Sequence, residues 1–360
     1  MGLSVNDVEE QSLENRGLSE AQLKEILRTH AYKRDTISGH YLAGRFAQRQ
    51  HDWKEASKHI GVILDKTGNE DKTLIKRGMV LAIGAGDYPR AFELARLLRE
   101  KEKSDEQEPL NALTSLFIAI EEFHDKDYEK AAKAIFDMPE GALSNFILPL
   151  LEGWSNAAIG KHDTAQLNTS AIHIYHAIMI ADFMNQHDHI EELLHRALSV
   201  QTLNAEDLER IADIYAHIGR TKEAKEIYDE ILLNVGEDID ITKKLEKLSA
   251  GEPQKIFEAV NSPEQGIARA LYDMAQILTE EYGEETARVV AHMAMYLDPD
   301  YTDVKFLLAR IAARNDRNEE AIGYYKLITE EEDLQSYLKA RRMVAEILEE
   351  EDKTEEALAE

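Results

Sequence analysis

The sequence predicts an all-α solenoid, a stack of helical hairpins repeated along the chain, and three observations predict it. Gly and Pro number only 18 and 7 in 360 residues, well short of the ordinary share of about 12%, which leaves few turns for a β-rich fold. A short turn segment recurs, each time a small polar or Gly-containing cluster, then a charged residue, then an alanine. It reads QHDWKEA to Ala56, GDYPRA to Ala91, DKDYEKA to Ala131, GKHDTA to Ala165, GRTKEA to Ala224, GEETA to Ala287, NDRNEEA to Ala321 and EDKTEEA to Ala357, with Ile190 closing a ninth, QHDHIEE. These anchors are spaced by 35, 40, 34, 25, 34, 63, 34 and 36 residues, so half of the steps lie within one residue of 34. Apolar residues at helical periodicity flank each turn on both sides, giving helix, tight turn, helix. A hairpin of this kind cannot bury its apolar face alone and must stack on its neighbours.

The elements follow in order. LSEAQLKEILRTH opens on Ser19 with Gln22 three residues later, a capping-box signature for a solitary N-terminal helix in an acidic segment over 1–36. A first block of about six repeats spans 37–232. Its 40-residue step carries EKEKSDEQEP, expected to be an acidic loop, and its 25-residue step leaves the helix after Ala165 clipped to about six residues ahead of an apolar helix from about Ser170 to Gln186. The 63-residue step holds ITKKLEKL, a candidate short helix, and the breakers Gly251, Pro253 and Pro263, so 233–266 is expected to be an irregular linker. A second block of about three repeats fills 267–360. The last repeat stops at TEEALAE, one turn into its second helix, so the chain is expected to be part of a longer repeat protein.

At LERIADIYAHIGRTKEAKEIYDEIL the pattern resembles the tetratricopeptide (TPR) repeat. Leu208, Ile211, Ala212 and Tyr215 fall on the first helix, Gly219 closes it, Ala224 opens the second, and Tyr228 and Ile231 follow. VKFLLARIAARNDRNEEAIGYYKLI repeats this with Leu308, Ala309, Ala312, Ala321, Tyr325 and Ile328, and LYDMAQILTEEYGEETARVVAHMAMYLDP ends on Pro299, where TPR motifs often carry proline. Nine partial matches in register over 37–360 make the set specific, and the whole is similar to the long bacterial multi-TPR proteins, which gather partners. The resemblance implies a right-handed superhelix of about nine repeats in which the first helix of each lines a concave groove. The groove residues would then include Tyr41, Arg45, Lys76, Leu116, Leu150, Trp154, Tyr175, Met179, Tyr272, Phe306 and Arg310. Their middle stretch is apolar and aromatic, suited to an amphipathic helix or hydrophobic peptide. Two readings compete. Either these residues dock a partner, in which case Trp154→Ala abolishes capture without unfolding, or Leu116, Leu150 and Trp154 are plain core. A carboxylate clamp is argued against, because only Lys76 matches and Val80 stands where Asn is needed.

Asp and Glu number 70 against 42 Lys and Arg, a net charge of -28. So acidic a chain is expected to avoid nucleic acid and anionic membrane surfaces. No cysteine occurs, which removes disulfides and thiolate chemistry. No apolar run approaches a membrane span, and the first thirty residues lack the apolar middle of a signal peptide. The expected location is cytoplasmic, or periplasmic if a native leader once preceded Met1-Gly2, which looks like a cloning start. The expected partner is a protein or peptide, with self-association left open.

Catalysis is not expected. His162, His173, His176, His187, His189 and His195 crowd one stretch, and imidazoles three apart can hold a transition metal. This metal-binding or enzymatic use of the histidines is the alternative function. Against it, no carboxylate stands one turn from His173 and His176. Glu121 to His124 and Glu192 to His195 are Glu-x-x-His pairs, but the repeat register puts them two units apart. IGAGDY lacks the Lys-Ser/Thr of a phosphate loop, and no GxSxG is present. No cofactor is expected, and no metal or catalytic residue is assigned.

Overall fold

The computed structural model describes residues 36–103, 112–139, 144–186, 188–199, 203–251, 260–281, 283–330 and 334–360. The predicted N-terminal helix and most of the acidic loop after Lys103 lie outside them. Among the described residues every regular element is an α-helix, as an all-α helical-repeat fold requires. The helices are α1 (Ile37–Arg49), α2 (Trp53–Thr67), α3 (Lys72–Gly84), α4 (Tyr88–Lys103), α5 (Ala112–His124), α6 (Tyr128–Phe136), α7 (Ser144–Ala158), α8 (Ala171–Phe183), α9 (Asp188–Leu198), α10 (Ala205–His217), α11 (Thr221–Val235), α12 (Ile239–Ala250), α13 (Pro263–Glu281), α14 (Glu284–Leu297), α15 (Thr302–Arg314), α16 (Asn318–Tyr325), α17 (Leu334–Glu350) and α18 (Thr354–Ala357). No described helix is long and apolar enough to cross a membrane.

One backbone device makes the turns alike. Five residues ahead of the anchor the chain turns left-handed, at His51, Lys126, Asn185, Asp316 and Asp352 with φ between 53° and 62°, and at Gly86, Gly160 and Gly219 with φ between 75° and 80°. The next residue sends its N–H back over the last helical turn, as from Asp52 to Ala47 O (2.9 Å), Arg220 to Tyr215 O (2.8 Å) and Lys353 to Leu348 O (2.8 Å), which closes the helix end in the Schellman manner. Where that residue is aspartate it also caps the following helix, Asp52 accepting from Glu55 N at 3.1 Å and Asp87 from Arg90 N at 3.3 Å. Arg220, Arg317 and Lys353 stand at the same place with no side-chain cap. The left-handed residue, rather than the cap, therefore sets the turn. The anchors Ala56, Ala91, Ala131, Ala224, Ala287 and Ala321 are completely buried, and Ile190 at the ninth turn is buried as well.

The fourth unit departs from this. Its turn forms at Gly160, but no clipped helix follows, Ala165 is exposed, and 165–170 runs as consecutive turns into the N-cap Ser170 of α8. Too few residues remain for a helix, and Leu167 instead folds in alone against α7, where a Cβ on Gly153 would stand 3.1 Å from its Cδ1.

The chain divides into two compact units, Met1–Leu94 and Ala95–Glu360. In the first, α1, α2 and α3 pack in sequence around Ile60, Leu64, Ile75 and Met79, all buried. In the second, α13 packs on its hairpin partner α14 and also on α7, α8 and α5. The boundary expected at 233–266 thus falls inside one unit, because α13 returns to helices more than a hundred residues earlier. The candidate short helix at ITKKLEKL forms there as α12. Its Lys244 Nζ donates to Glu209 at 2.6 Å and to both oxygens of Asp213 at 2.7 and 2.8 Å. Burial alone would lower the Lys244 ammonium, but Asp213 and Glu209 outweigh it and hold its pKa above the ordinary lysine value. Tyr228 adds a hydrogen bond to Asp213 from α11, so the network ties α10, α11 and α12 together.

Candidate binding face

The residues expected to line a groove separate into three groups once placed. On the first unit, Tyr41, Arg45 and Lys76 are exposed, Tyr41 by 44% with the Arg77 guanidinium 5.8 Å from its ring centre. On the second unit, Leu116, Leu150, Trp154, Tyr175 and Tyr272 are buried, and Met179 is half-buried. Phe306 is half-buried and Arg310 exposed.

The middle group does not line an open groove: Tyr175 donates to Asp207 O of α10 at 2.6 Å, while α13, which carries Tyr272, lies on Trp154 and packs on α5, α7 and α8. Gly266 is what lets the helix approach: a Cβ there would sit 2.3 Å from Cδ2 and Cε3 of Trp154, so the indole faces bare backbone. The indole Nε1–H then donates to His176 Nδ1 at 2.8 Å, and His176 Nε2 bonds Asp273 Oδ2 at 3.0 Å. Since an indole can only donate, Nδ1 is the acceptor and the proton of the imidazole is on Nε2, directed to the carboxylate. One chain of hydrogen bonds thus joins α7, α8 and α13. Two further contacts seat the C-terminal helices. Tyr128 Oη donates to the buried Glu264 at 2.8 Å, and burial together with that bond pushes the phenol up to about 12. His124 stacks on Tyr296 with ring centres 4.6 Å apart. The chain occupies its own middle face, and the plain-core reading of Leu116, Leu150 and Trp154 is the one the packing supports.

The histidine cluster is used in the same way. His173 Nε2–H donates to Phe146 O at 2.8 Å, leaving Nδ1 to accept from Ser170 Oγ at 2.7 Å and Thr169 Oγ1 at 3.0 Å. Burial lowers its pKa; the Phe146 carbonyl opposes this and the neighbouring His176 adds to it. His162 and His189 stack at 5.4 Å, and His187 lies outside the described residues. Among the described residues no group of three or more His, Asp and Glu side chains is placed to hold a metal. Glu121 pairs with Arg96 and Glu192 with Arg196, on the separate helices α5 and α9.

The His173 geometry has a consequence for pH. Its folded pKa lies below the ordinary 6.5, so the unfolded chain takes up the proton first. The stability His173 contributes is complete above about pH 6.5 and is lost as pH falls below it. Urea midpoints should decline from pH 7 to pH 5, and the decline should be shallower in His173→Gln, whose slope rather than absolute stability is the readout. An unchanged slope would contradict a neutral buried imidazole.

Towards the C-terminus of the second unit the expected groove residues are Tyr272, Phe306 and Arg310, of which only Arg310 is exposed. Gln276 Nε2 donates to Tyr272 Oη at 2.8 Å and Arg310 reaches Gln276 Oε1 at 3.5 Å. The Phe306 ring packs on Tyr325 at 5.8 Å, and the Lys339 ammonium stands 4.9 Å above it. Lys339 is not among the sequence-derived residues. A fixed register from Ala321 to Ala357 points to Arg342, whereas the longer α17 brings Lys339 over the ring.

No protein-family model matches the chain, and no curated protein matches it. Among solved structures it is similar to a chain of Naa15/Naa10 bound to HypK-THB, at 16% identity and a TM-score of 0.33, covering 98% of this chain. The match spans only 61% of that chain's length. It is also similar to a monomeric mutant of IFIT1 with Gppp-AAAA, at 12% identity and a TM-score of 0.26, covering 90% of this chain and 89% of that one. At these scores neither likeness bears on what this protein binds.

Proposed function

We propose that the chain is a TPR-like interaction scaffold without catalytic activity, holding a peptide or amphipathic helix of a protein partner on the face formed by α13, α15 and α17. The observation that carries this is the contrast along one face of the second unit. Its first half is consumed by α13, while its second half ends in a half-buried Phe306 flanked by the exposed cations Arg310 and Lys339. An aromatic ring left half in water beside polar groups is the arrangement in which a partner gains most by covering it. The absence of catalysis is part of the proposal, and its support is the use of the buried His173 and His176 and the half-buried Asp273 as internal hydrogen-bond partners.

Phe306→Asp tests it. The substitution is expected to reduce capture of the native partner by about tenfold or more, the equivalent of losing one well-covered aromatic contact. Helix content by circular dichroism should stay unchanged, since the ring is only half-buried. Capture at the wild-type level with an intact fold would sink the proposal.

A further inference from the structure

We infer that the partner segment held by this face is acidic, with carboxylates directed at Arg310 and Lys339 and an apolar side chain resting on Phe306. The inference rests on the scaffold proposal above and names the chemistry of its partner.

Charge on this face runs against that of the whole protein. The chain carries -28, yet Arg310 and Lys339 are both exposed, and among the described residues neither makes a salt bridge. Arg310 reaches a neutral amide, Gln276 at 3.5 Å, and Lys339 an aromatic ring, Phe306 at 4.9 Å. The acids nearby are largely engaged. Asp273 bonds His176 at 3.0 Å and Glu346 pairs with Arg342 at 3.4 Å. Asp303 shares the face, but the charges acting on it most strongly are Arg269 and Arg210, ahead of Lys339. Two other exposed cations of the second unit do have carboxylates, Arg220 with Glu191 at 2.7 Å and Arg314 with Glu284 at 3.4 Å. Two exposed cations that make no salt bridge among the described residues, beside a half-covered ring, are complementary to a segment bearing carboxylates and one apolar side chain.

The length of that segment matters. Screening limits surface charges to a range of about 8–10 Å at physiological ionic strength, so a short acidic stretch feels mainly the local cations. A long polyanion extends past them into the field of the full negative charge and is repelled. A peptide is therefore favoured over nucleic acid.

The experiment measures fluorescence anisotropy with the full chain and a labelled amphipathic Leu-containing peptide in three versions, its polar face all Glu, all Gln or all Lys, beside a single-stranded oligonucleotide. The Glu version is expected to bind at least about tenfold tighter than the Lys version, to weaken with added salt, and to lose that preference in the Arg310→Glu, Lys339→Glu double variant. Both positions are exposed, so the variant should keep its helix content, checked by circular dichroism. Equal binding of the Glu and Gln versions, tighter binding of the Lys version, or no binding of any peptide overturns the acidic partner. Oligonucleotide binding as tight as the Glu peptide and lost in the same variant also overturns it. Failure of the scaffold proposal looks different: capture of the native partner is then indifferent to Phe306→Asp, whereas an error in charge alone leaves that dependence intact.

Discussion

Trp154→Ala is expected to destabilise the second unit by about 3–5 kcal/mol, the usual loss for deleting a fully buried large aromatic side chain. The indole has no solvent exposure, and α13 meets it through Gly266 with no side chain in between, so α13 has nothing at that point to fill the cavity. The loss also leaves the Nδ1 acceptor of His176 buried without a donor. Trp154→Phe separates the two effects. It keeps most of the ring and removes the 2.8 Å bond to His176, and should cost about 1–3 kcal/mol. Urea unfolding followed by circular dichroism measures both. A Trp154→Ala midpoint within about 0.5 kcal/mol of wild type, the range of an ordinary surface substitution, would overturn the placement of α13 on α7. Loss of partner capture in this variant would then report unfolding rather than a removed contact.

Gly84→Ala in the first unit should destabilise although it replaces glycine by alanine in the last position of helix α3. Alanine is preferred in a helix by at most about 1 kcal/mol on intrinsic grounds. However, a Cβ at position 84 would lie 2.3 Å from Cε3 and 2.6 Å from Cζ3 of Trp53, a buried ring that cannot swing aside. Overpacking of this kind costs about 1–3 kcal/mol, with a net loss expected once the helical gain is subtracted, and Gly84→Val should lose more. Gly61→Ala is the control. Gly61 is also helical, and its Cβ would meet nothing within 4 Å, so the same exchange should stabilise by up to about 1 kcal/mol. Opposite signs for the two variants are the expected result. A stabilised Gly84→Ala would show that Trp53 does not rest on that backbone.

The turns account for how much of the fold was legible. The turn clusters and their small anchors are a local pattern that the letters carry, and the structure adds that the chain turns left-handed five residues ahead of the anchor, at His51, Gly86, Lys126, Gly160, Gly219, Asp316 and Asp352. The helices on either side follow from periodicity. Where the spacing broke to 25 residues, the letters signalled a defect but not its form: a missing helix replaced by Leu167 alone. The binding face was legible only in part. Position in the repeat names Trp154 and Phe306 alike as inward-facing, and nothing local distinguishes the ring covered by Gly266 from the ring left beside Lys339.

By itself the sequence determined that this protein is all-α, that its helices come in hairpins about 34 residues apart, and which side of each hairpin is apolar. These are properties of short range, set by backbone conformation and by a period of 3.6 residues. The tertiary structure alone decided that α13 returns to α5, α7 and α8, that His176 spends both nitrogens on Trp154 and Asp273, and that Phe306 stays half-buried beside the exposed Arg310 and Lys339. The reason is physical: apolar surface gains nearly the same free energy whichever apolar surface covers it. A hydrophobic stripe therefore announces that it will be covered, and only shape complementarity, here a glycine against an indole, chooses the cover.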